Sequence, residues 1–538
     1  MSKASPEIQR EIERRRAFAI ISHPDAGKTT LTERLLLFGN AIQMAGMVKA
    51  KRGKHFATSD WMEIEKQRGI SVASSVMQFP YGGCEMNLLD TPGHEDFSED
   101  TYRVLTAVDS ALMIIDAAKG IETQTKKLFQ VCRDRQVPIM TFINKLDLEG
   151  RDPFDLIDEV EKTLGLQCAI ATWPIGQGKR FKGVYDLGNG CVRLFDSHQK
   201  TLKQFDQEII ASLEDPALHQ KIESEAIAKL RDDLELIKGA SVPFDRDDFL
   251  AGHLTPVFFG SAMHNFGVQE LLDAIVERAP APRPRTADSR TVFPNEAEFT
   301  GVIFKIQANM DPKHRDRFAF LRVCSGEFIQ GMSAYHVREG RYFKINNAIQ
   351  FLSQERKNID RAYPGDIIGI HDRGNLMIGD SITSGEPLKF LGIPQFSPDM
   401  FSLVTLKNPI KMKQLQKGLE HLAEEGTSQL FRRKYNSDAI VGVVGGLQLE
   451  VVKFRLLNEY GAEAVFTPLA YTASRWYHCA DKSKLDAFES YYRTQIVFDV
   501  RGYPMILFKT DWEQGYVEEK NPTVRFYSSL INYEQACL

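Results

Sequence analysis

The chain has 538 residues, which at about 150 per domain makes room for three or four modules, each long enough to bury a core. Its 67 Lys and Arg against 72 Asp and Glu leave a net charge of −5, so no global positive field marks a general nucleic-acid binder and any RNA contact has to be local. Met1 to Arg16 is polar and charged without an apolar signal region, and no run approaches the ~18 apolar residues of a membrane span, which argues against secretion and membrane insertion.

The first elements in chain order are a short apolar run, Ala17 to Ser22, predicted as a strand, and Lys28 to Phe38, whose apolar residues recur at helical spacing before Gly39. Strand-like Met86 to Leu89, Ala111 to Ile115 and Ile139 to Ile143 then alternate with helical stretches such as Thr125 to Arg135. That alternation predicts a doubly wound parallel α/β sheet. The prolines of RAPAPRPR, Arg278 to Arg285, forbid a continuing helix and set the first boundary, giving an opening domain over 1–280. Beyond it, Phe299 to Ile303, Ala319 to Val323, Ser333 to His336 and Ile367 to Ile370 are β-like runs punctuated by Ser325-Gly326, Glu339-Gly340 and Pro364-Gly365. They predict a small β-barrel over 293–390. From 395 to 538, helical Lys411 to Glu424, strand-like Ile440 to Val444 and Leu447 to Val452, and an aromatic-rich remainder predict a C-terminal α+β domain. The cysteines Cys84, Cys132, Cys168, Cys191, Cys324, Cys479 and Cys537 are scattered without C-x-x-C or zinc-type spacing, and read as buried, reduced thiols of a cytoplasmic protein.

The chemistry is concentrated in the first domain. Ser22, His23, Pro24, Asp25, Ala26, Gly27, Lys28, Thr29 and Thr30 lie between the predicted strand and helix as SHPDAGKTT. This is a phosphate-loop context, with Ser22 where the first glycine usually stands. Such a loop points backbone N–H groups at phosphates; Lys28 is expected on the β- and γ-phosphates and the Thr29 hydroxyl on Mg2+. Asp25 either helps place a cation or stabilises the turn. Asp90, Thr91, Pro92 and Gly93 follow an apolar strand, where α/β ligand sites lie. Asp90 is expected to hold Mg2+ through water, and Gly93 to offer an N–H to the γ-phosphate and swing when that group leaves. Asn144, Lys145 and Asp147 follow the run Ile139 to Ile143 as NKLD. Asp147 can accept from guanine N1–H and the exocyclic amine, groups that adenine does not present. Gly260-Ser261-Ala262 would close over the base from the other side. A polar loop or a glycine turn accounts for any one of these motifs, but not for the ordered set.

The order SHPDAGKT, RGIS, DTPGHEDF, NKLD and GSA resembles the translational GTPase family that includes elongation factor G and the ribosome protection proteins. About 110 residues separate Asp147 from Ser261, more than a helix and a strand require, so an inserted subdomain is expected over about 165–250. Trp173-Pro174-Ile175-Gly176 and Gly183-Val184-Tyr185-Asp186-Leu187 look like its start in that family. The chain leaves no room for the later domains of elongation factor G, and TSDWMEIEKQRGISV with the C-terminal module narrows the resemblance to the termination branch.

The resemblance implies a multidomain protein: an α/β P-loop GTPase domain with an inserted subdomain, a β-barrel domain and a C-terminal α+β domain. It implies a ribosome-dependent enzyme that binds GTP and GDP with Mg2+, hydrolyses GTP to GDP and phosphate, and promotes departure and recycling of the class I release factors that read stop codons. The ribosome, both RNA and protein, is then the partner, the location cytoplasmic, and the protein a monomer in solution. A translocase-like or ribosome-protection GTPase and a non-hydrolysing nucleotide-gated scaffold are the alternatives. By the same resemblance Ser71 takes the place of the switch threonine that binds Mg2+ and senses the γ-phosphate, and His94 that of the histidine orienting the attacking water on the ribosome. Glu95, Asp96, Glu99 and Asp100 read as a solvated helix start. Lys411, Lys413, Lys417 and Arg432 to Lys434 read as a solvated basic face, with ribosomal contact as the alternative, while His23 and His264 receive no role beyond lying in or beside the expected GTP site.

Overall fold

The computed structural model describes residues 3–39, 41, 73–194, 208–308, 316–352, 355–434 and 438–537. The first region is built on β1 (Arg15–Ser22), β2 (Ser75–Tyr81), β3 (Cys84–Asp90), β4 (Ser110–Asp116), β5 (Ile139–Asn144) and β6 (Gln167–Ile170). Four short strands follow, β7 (Thr172–Ile175), β8 (Gly183–Asp186), β9 (Cys191–Leu194) and β10 (Glu208–Ile210), before β11 (Leu254–Phe259) returns to the main sheet. That sheet runs β2-β3-β1-β4-β5-β11-β6. Every neighbouring pair in it is parallel except β2 and β3, a hairpin turned by Gly82 and Gly83 at φ 55° and 77°.

Buried apolar runs become central parallel strands because both faces are covered. Alternate residues of β1 and β4 enter different cores: Ala19, Ile21, Met113 and Ile115 face one, Phe18, Ile20, Leu112 and Ile114 the other. The first core is closed by Val104 and Leu105 of the helix Ser98–Ala107 and by Leu128 and Phe129 of the helix Thr123–Asp134. The second is closed by Leu31 and Leu35 of the helix Lys28–Phe38 and by Leu271 and Ile275 of the helix Val268–Arg278. Strands β7 to β10 form a separate antiparallel sheet, with the helix Ser224–Ala240 between it and β11.

The second region is an antiparallel eight-stranded sheet centred on Thr300–Ala308 and Arg317–Ser325. Among the described residues its pairing has two edges, Arg341–Lys344 and Glu355–Asn358, where a fully closed barrel would have none. The third region carries another antiparallel eight-stranded sheet, from Met400–Leu406 to Arg525–Tyr527, with helices Met412–Glu424 and Gly446–Tyr460 packed on part of it.

Two expectations are corrected. Leu447 to Val452 is helical, inside Gly446–Tyr460, where the alternation of Leu447, Leu449 and Val451 had suggested a strand. The buried positions Gln448, Val451, Val452, Arg455 and Leu456 follow the 3.6-residue period, which becomes visible only when the window extends past Val452. Cys537 is exposed, whereas the other six thiols are buried; burial pushes Cys132 up to about 12 and Cys324 up to about 11.

The regions share buried contacts. Phe304, Phe320 and Ile367 of the second sheet belong to the same core as Val76, Leu89 and Val104 of the first. Asp109, with its side chain fully buried, accepts from the Arg283 N–H at 3.0 Å and from Arg285 Nη2 at 2.9 Å, and is ion-paired with buried Arg322.

Candidate functional site

Strands β1, β3, β4 and β5 end along one edge of the sheet, and the site is assembled there. Ser22 is the last residue of β1 and pairs in register with Ile114, so its backbone is extended and needs no glycine. The loop turns through Asp25 at φ 66° and Gly27 at φ 99°. A Cβ on Gly27 would stand 2.3 Å from Asn144 Nδ2, so both conformation and space call for glycine there. The helix Lys28–Phe38 starts without a side-chain cap, leaving the N–H groups of its first turn directed into the loop. Such a terminus favours a phosphate.

Across the loop, Lys28 Nζ lies 2.6 Å from Asp90 Oδ1, and both side chains are buried. Two residues expected to serve different ligands, a phosphate and a metal, are therefore direct partners. Thr91 Oγ1 donates to the Ile20 carbonyl at 2.6 Å and Thr101 Oγ1 to the Pro92 carbonyl at 3.3 Å, fixing the path after β3. A side chain at Gly93 would touch Pro24 Cα at 3.5 Å, which sets this segment against the phosphate loop.

The residues expected to meet the base are joined to the phosphate loop by a chain of bonds. Asn144 Nδ2 donates to the Ala26 carbonyl at 2.9 Å, and Asn144 Oδ1 accepts from the Ala262 N–H at 2.9 Å. Ser261 Oγ donates to Asp147 Oδ1 at 2.5 Å, and His264 Nε2 stands 3.6 Å from Asp147 Oδ2. Burial pushes the Asp147 carboxyl up, but hydrogen bonds from His264 and Ser261 outweigh it and hold the group below its usual range. Lys145, at φ 72°, pairs its Nζ with Asp116 Oδ2 at 2.8 Å. Sequence reasoning missed Asp116, although it ends β4 directly opposite Asn144. It also missed Glu122, 3.2 Å from His23 Nε2.

His94 is partly exposed, and its Nδ1 lies 3.2 Å from the Asp96 N–H. Ser71 lies outside the described residues. The reading of the acids after His94 as solvated is overturned for three of the four. Glu95 is exposed and paired with Lys127, but Asp96, Glu99 and Asp100 face the other regions. Asp96 Oδ2 accepts from the Leu447 N–H at 2.8 Å. Glu99 pairs with Arg103 at 2.7 Å, and Arg103 donates to the Gly426 carbonyl at 3.4 Å. Asp100 accepts from the Ser74 N–H at 2.7 Å, and the Lys305 amine, which donates to Ser74 Oγ at 2.8 Å, lies 4.0 Å away. Burial pushes Asp100 up, yet Lys305 and Ser74 bring its carboxyl below the ordinary value. Leu447, Gly426 and Lys305 lie more than 200 residues along the chain from the groups they meet, so no sequence pattern announced them.

The fold and this edge define a P-loop nucleotide-binding protein. Residues 13–281, half of the chain, match the family model for the elongation factor Tu GTP binding domain. Residues 298–385 match elongation factor G domain 2, and residues 390–518 match the class II release factor RF3 C-terminal domain. The chain belongs to the translational GTPases, and the three models in this order are those of the release factor 3 branch. A crystal structure from Thermus thermophilus is similar at 23% identity over 85% of this chain and 67% of that one, with a TM-score of 0.68, a likeness of fold.

The oxygens of Thr29 and Asp90 are hard donors of the kind Mg2+ takes, few enough that phosphate oxygens and water would complete the shell. The residues present therefore fit the ion expected with a nucleotide.

Proposed function

We propose that this chain is a ribosome-dependent GTPase of translation termination that, in its GTP form, promotes dissociation and recycling of class I release factors. The bond chain from Ala26 through Asn144 to Ala262 carries the nucleotide part of that reading, because it ties the phosphate loop to the loops that would meet the base. The match of residues 390–518 supports its assignment to termination. The loop N–H groups of Ala26 to Thr30 and the Lys28 amine bind the β- and γ-phosphates, which breaks the Lys28–Asp90 pair and frees Asp90 and Thr29 for the cation. Mg2+, when bound, neutralises charge between the phosphates. Asp147 selects guanine by accepting two hydrogen bonds, with Ser261 and Ala262 on the far side. Gly93 senses the γ-phosphate, and His94 orients the attacking water once the ribosome holds it in place.

The test is release-factor recycling on terminated ribosomes with GTP, GDP and a non-hydrolysable analogue. Recycling that requires GTP supports the reading; translocation or antibiotic protection in its place would replace it with the translocase-like alternative. His94→Ala is expected to bind GTP normally and lose about 10²–10⁴ in ribosome-stimulated turnover, roughly 3–5 kcal/mol of transition-state stabilisation. Normal turnover by that variant would remove His94 from the mechanism.

A further inference from the structure

The one-turn helix Glu95–Phe97 presents Asp96, 8% exposed, to two partners at once. On one side its Oδ1 stands 3.2 Å from His94 Nδ1. On the other, Oδ2 accepts from the Leu447 N–H at 2.8 Å and the Gln448 N–H at 3.4 Å, at the start of the helix Gly446–Tyr460. That helix has no side-chain cap of its own. The first N–H groups of any helix lack partners within it and carry partial positive charge. A carboxylate 351 residues earlier in the chain supplies the cap. The approach also requires Gly445, since a Cβ there would stand 2.2 Å from Asp96 Cγ. Its φ of −150° suits any residue, so the reason for glycine at this point is room for the carboxylate.

His94 Nδ1 is thus within 3.2 Å of both the Asp96 N–H and the Asp96 carboxylate. One ring nitrogen cannot accept from the first and donate to the second together. If Nδ1 accepts, the hydrogen of the neutral imidazole sits on Nε2; if Nδ1–H donates to the carboxylate, Nε2 keeps a bare lone pair. A water about to attack a phosphorus has hydrogens to donate, and only the second tautomer receives one.

We propose that Asp96 is a positioning residue for GTP hydrolysis: anchored by the N-terminus of the helix Gly446–Tyr460, its carboxylate selects the Nδ1–H tautomer of His94 and leaves Nε2 to accept a hydrogen bond from the attacking water. This rests on the reading of His94 given above. It makes the placement of the C-terminal domain a condition for turnover, because withdrawing that helix removes the cap that holds the carboxylate.

The experiment compares full-length His94→Ala, Asp96→Asn, Asp96→Ala and Gly445→Ala in ribosome-stimulated kcat and KM, GDP affinity, and hydrogen exchange at the Leu447 and Gln448 amides. Asp96→Asn keeps an oxygen for the helix but turns an amide donor toward Nδ1, which imposes the wrong tautomer. Its exchange protection and GDP affinity should match the unaltered protein while kcat falls at least about tenfold. Asp96→Ala and Gly445→Ala should lose protection and kcat together; if Asp96→Ala fails to fold, the other two variants still decide. Normal turnover by Asp96→Asn alongside a defective His94→Ala overturns the inference and leaves the His94 reading standing. Normal turnover by His94→Ala overturns the reading itself.

Discussion

The phosphate and base loops differ from the loop after Gly93 in where they find their partners. Asn144 bonds Ala26 and Ala262, Ser261 bonds Asp147, and Lys28 bonds Asp90, all within the first region. Asp96, Arg103 and the Asp100–Ser74–Lys305 group bond the second and third regions instead. On the proposed reading, affinity for the nucleotide and the rate of its hydrolysis would draw on different sets of contacts: binding on one sheet edge, turnover on how the three regions are docked.

The comparison breaks most visibly at Asp109. Its removal leaves Arg322 as a buried charge without its partner, and Asp109→Ala should lower unfolding stability by about 3–5 kcal/mol. Denaturant titration of the full chain would read that loss, while GDP affinity measured under native conditions should stay within about twofold. A large loss of GDP affinity would mean that docking and binding are not separable.

The opposite behaviour is expected at the base loop. Asp147→Asn removes a carboxylate contributing two charge-assisted bonds, so GDP should bind two or more orders more weakly, roughly 3 kcal/mol, with xanthine nucleotide binding better than guanine. Calorimetry with both nucleotides checks it, and unchanged GDP affinity would strip Asp147 of its role. Thermal unfolding without nucleotide should change little, because the side-chain oxygen that Asp147→Asn keeps can still accept from Ser261 Oγ and His264 is exposed to solvent.

The smallest effect sharpens the same contrast within a single loop. Glu95 is the acid here that does point outward, and its pair with Lys127 at 3.0 Å is exposed on both sides. Lys127→Ala should cost less than ~0.5 kcal/mol and leave turnover intact. A turnover defect in this variant would show that the outer face of the loop also serves activation.

What could be read from the sequence follows the same division. The phosphate loop was legible because its conformation is dictated by neighbours in the chain: a buried strand ending at Ser22, a left-handed Gly27, and a helix starting at Lys28. NKLD was legible because a strand of apolar residues ends in polar ones. Asp116 carried the same mark at the end of β4 and was passed over because no motif surrounds it. Asp96, Glu99 and Asp100 were misread because acids at a helix start favour its N-terminus whether they are solvated or not, and the groups that close over this face, Leu447, Gly426 and Lys305, show no local pattern with it. The helix Gly446–Tyr460 was missed for a related reason: its first residues alternate, and its cap comes from another domain.

Lys305 carries a consequence of its own. Its amine is enclosed, 4% exposed, with Ser74 Oγ at 2.8 Å and Asp100 nearby, at the seam between the first and second regions. Acylating reagents modify lysines that water can reach, so this amine should remain unlabelled while the seam is shut and react once it opens. A single side chain thereby becomes a chemical reporter of domain separation, readable by mass spectrometry on the intact factor at work on its ribosome.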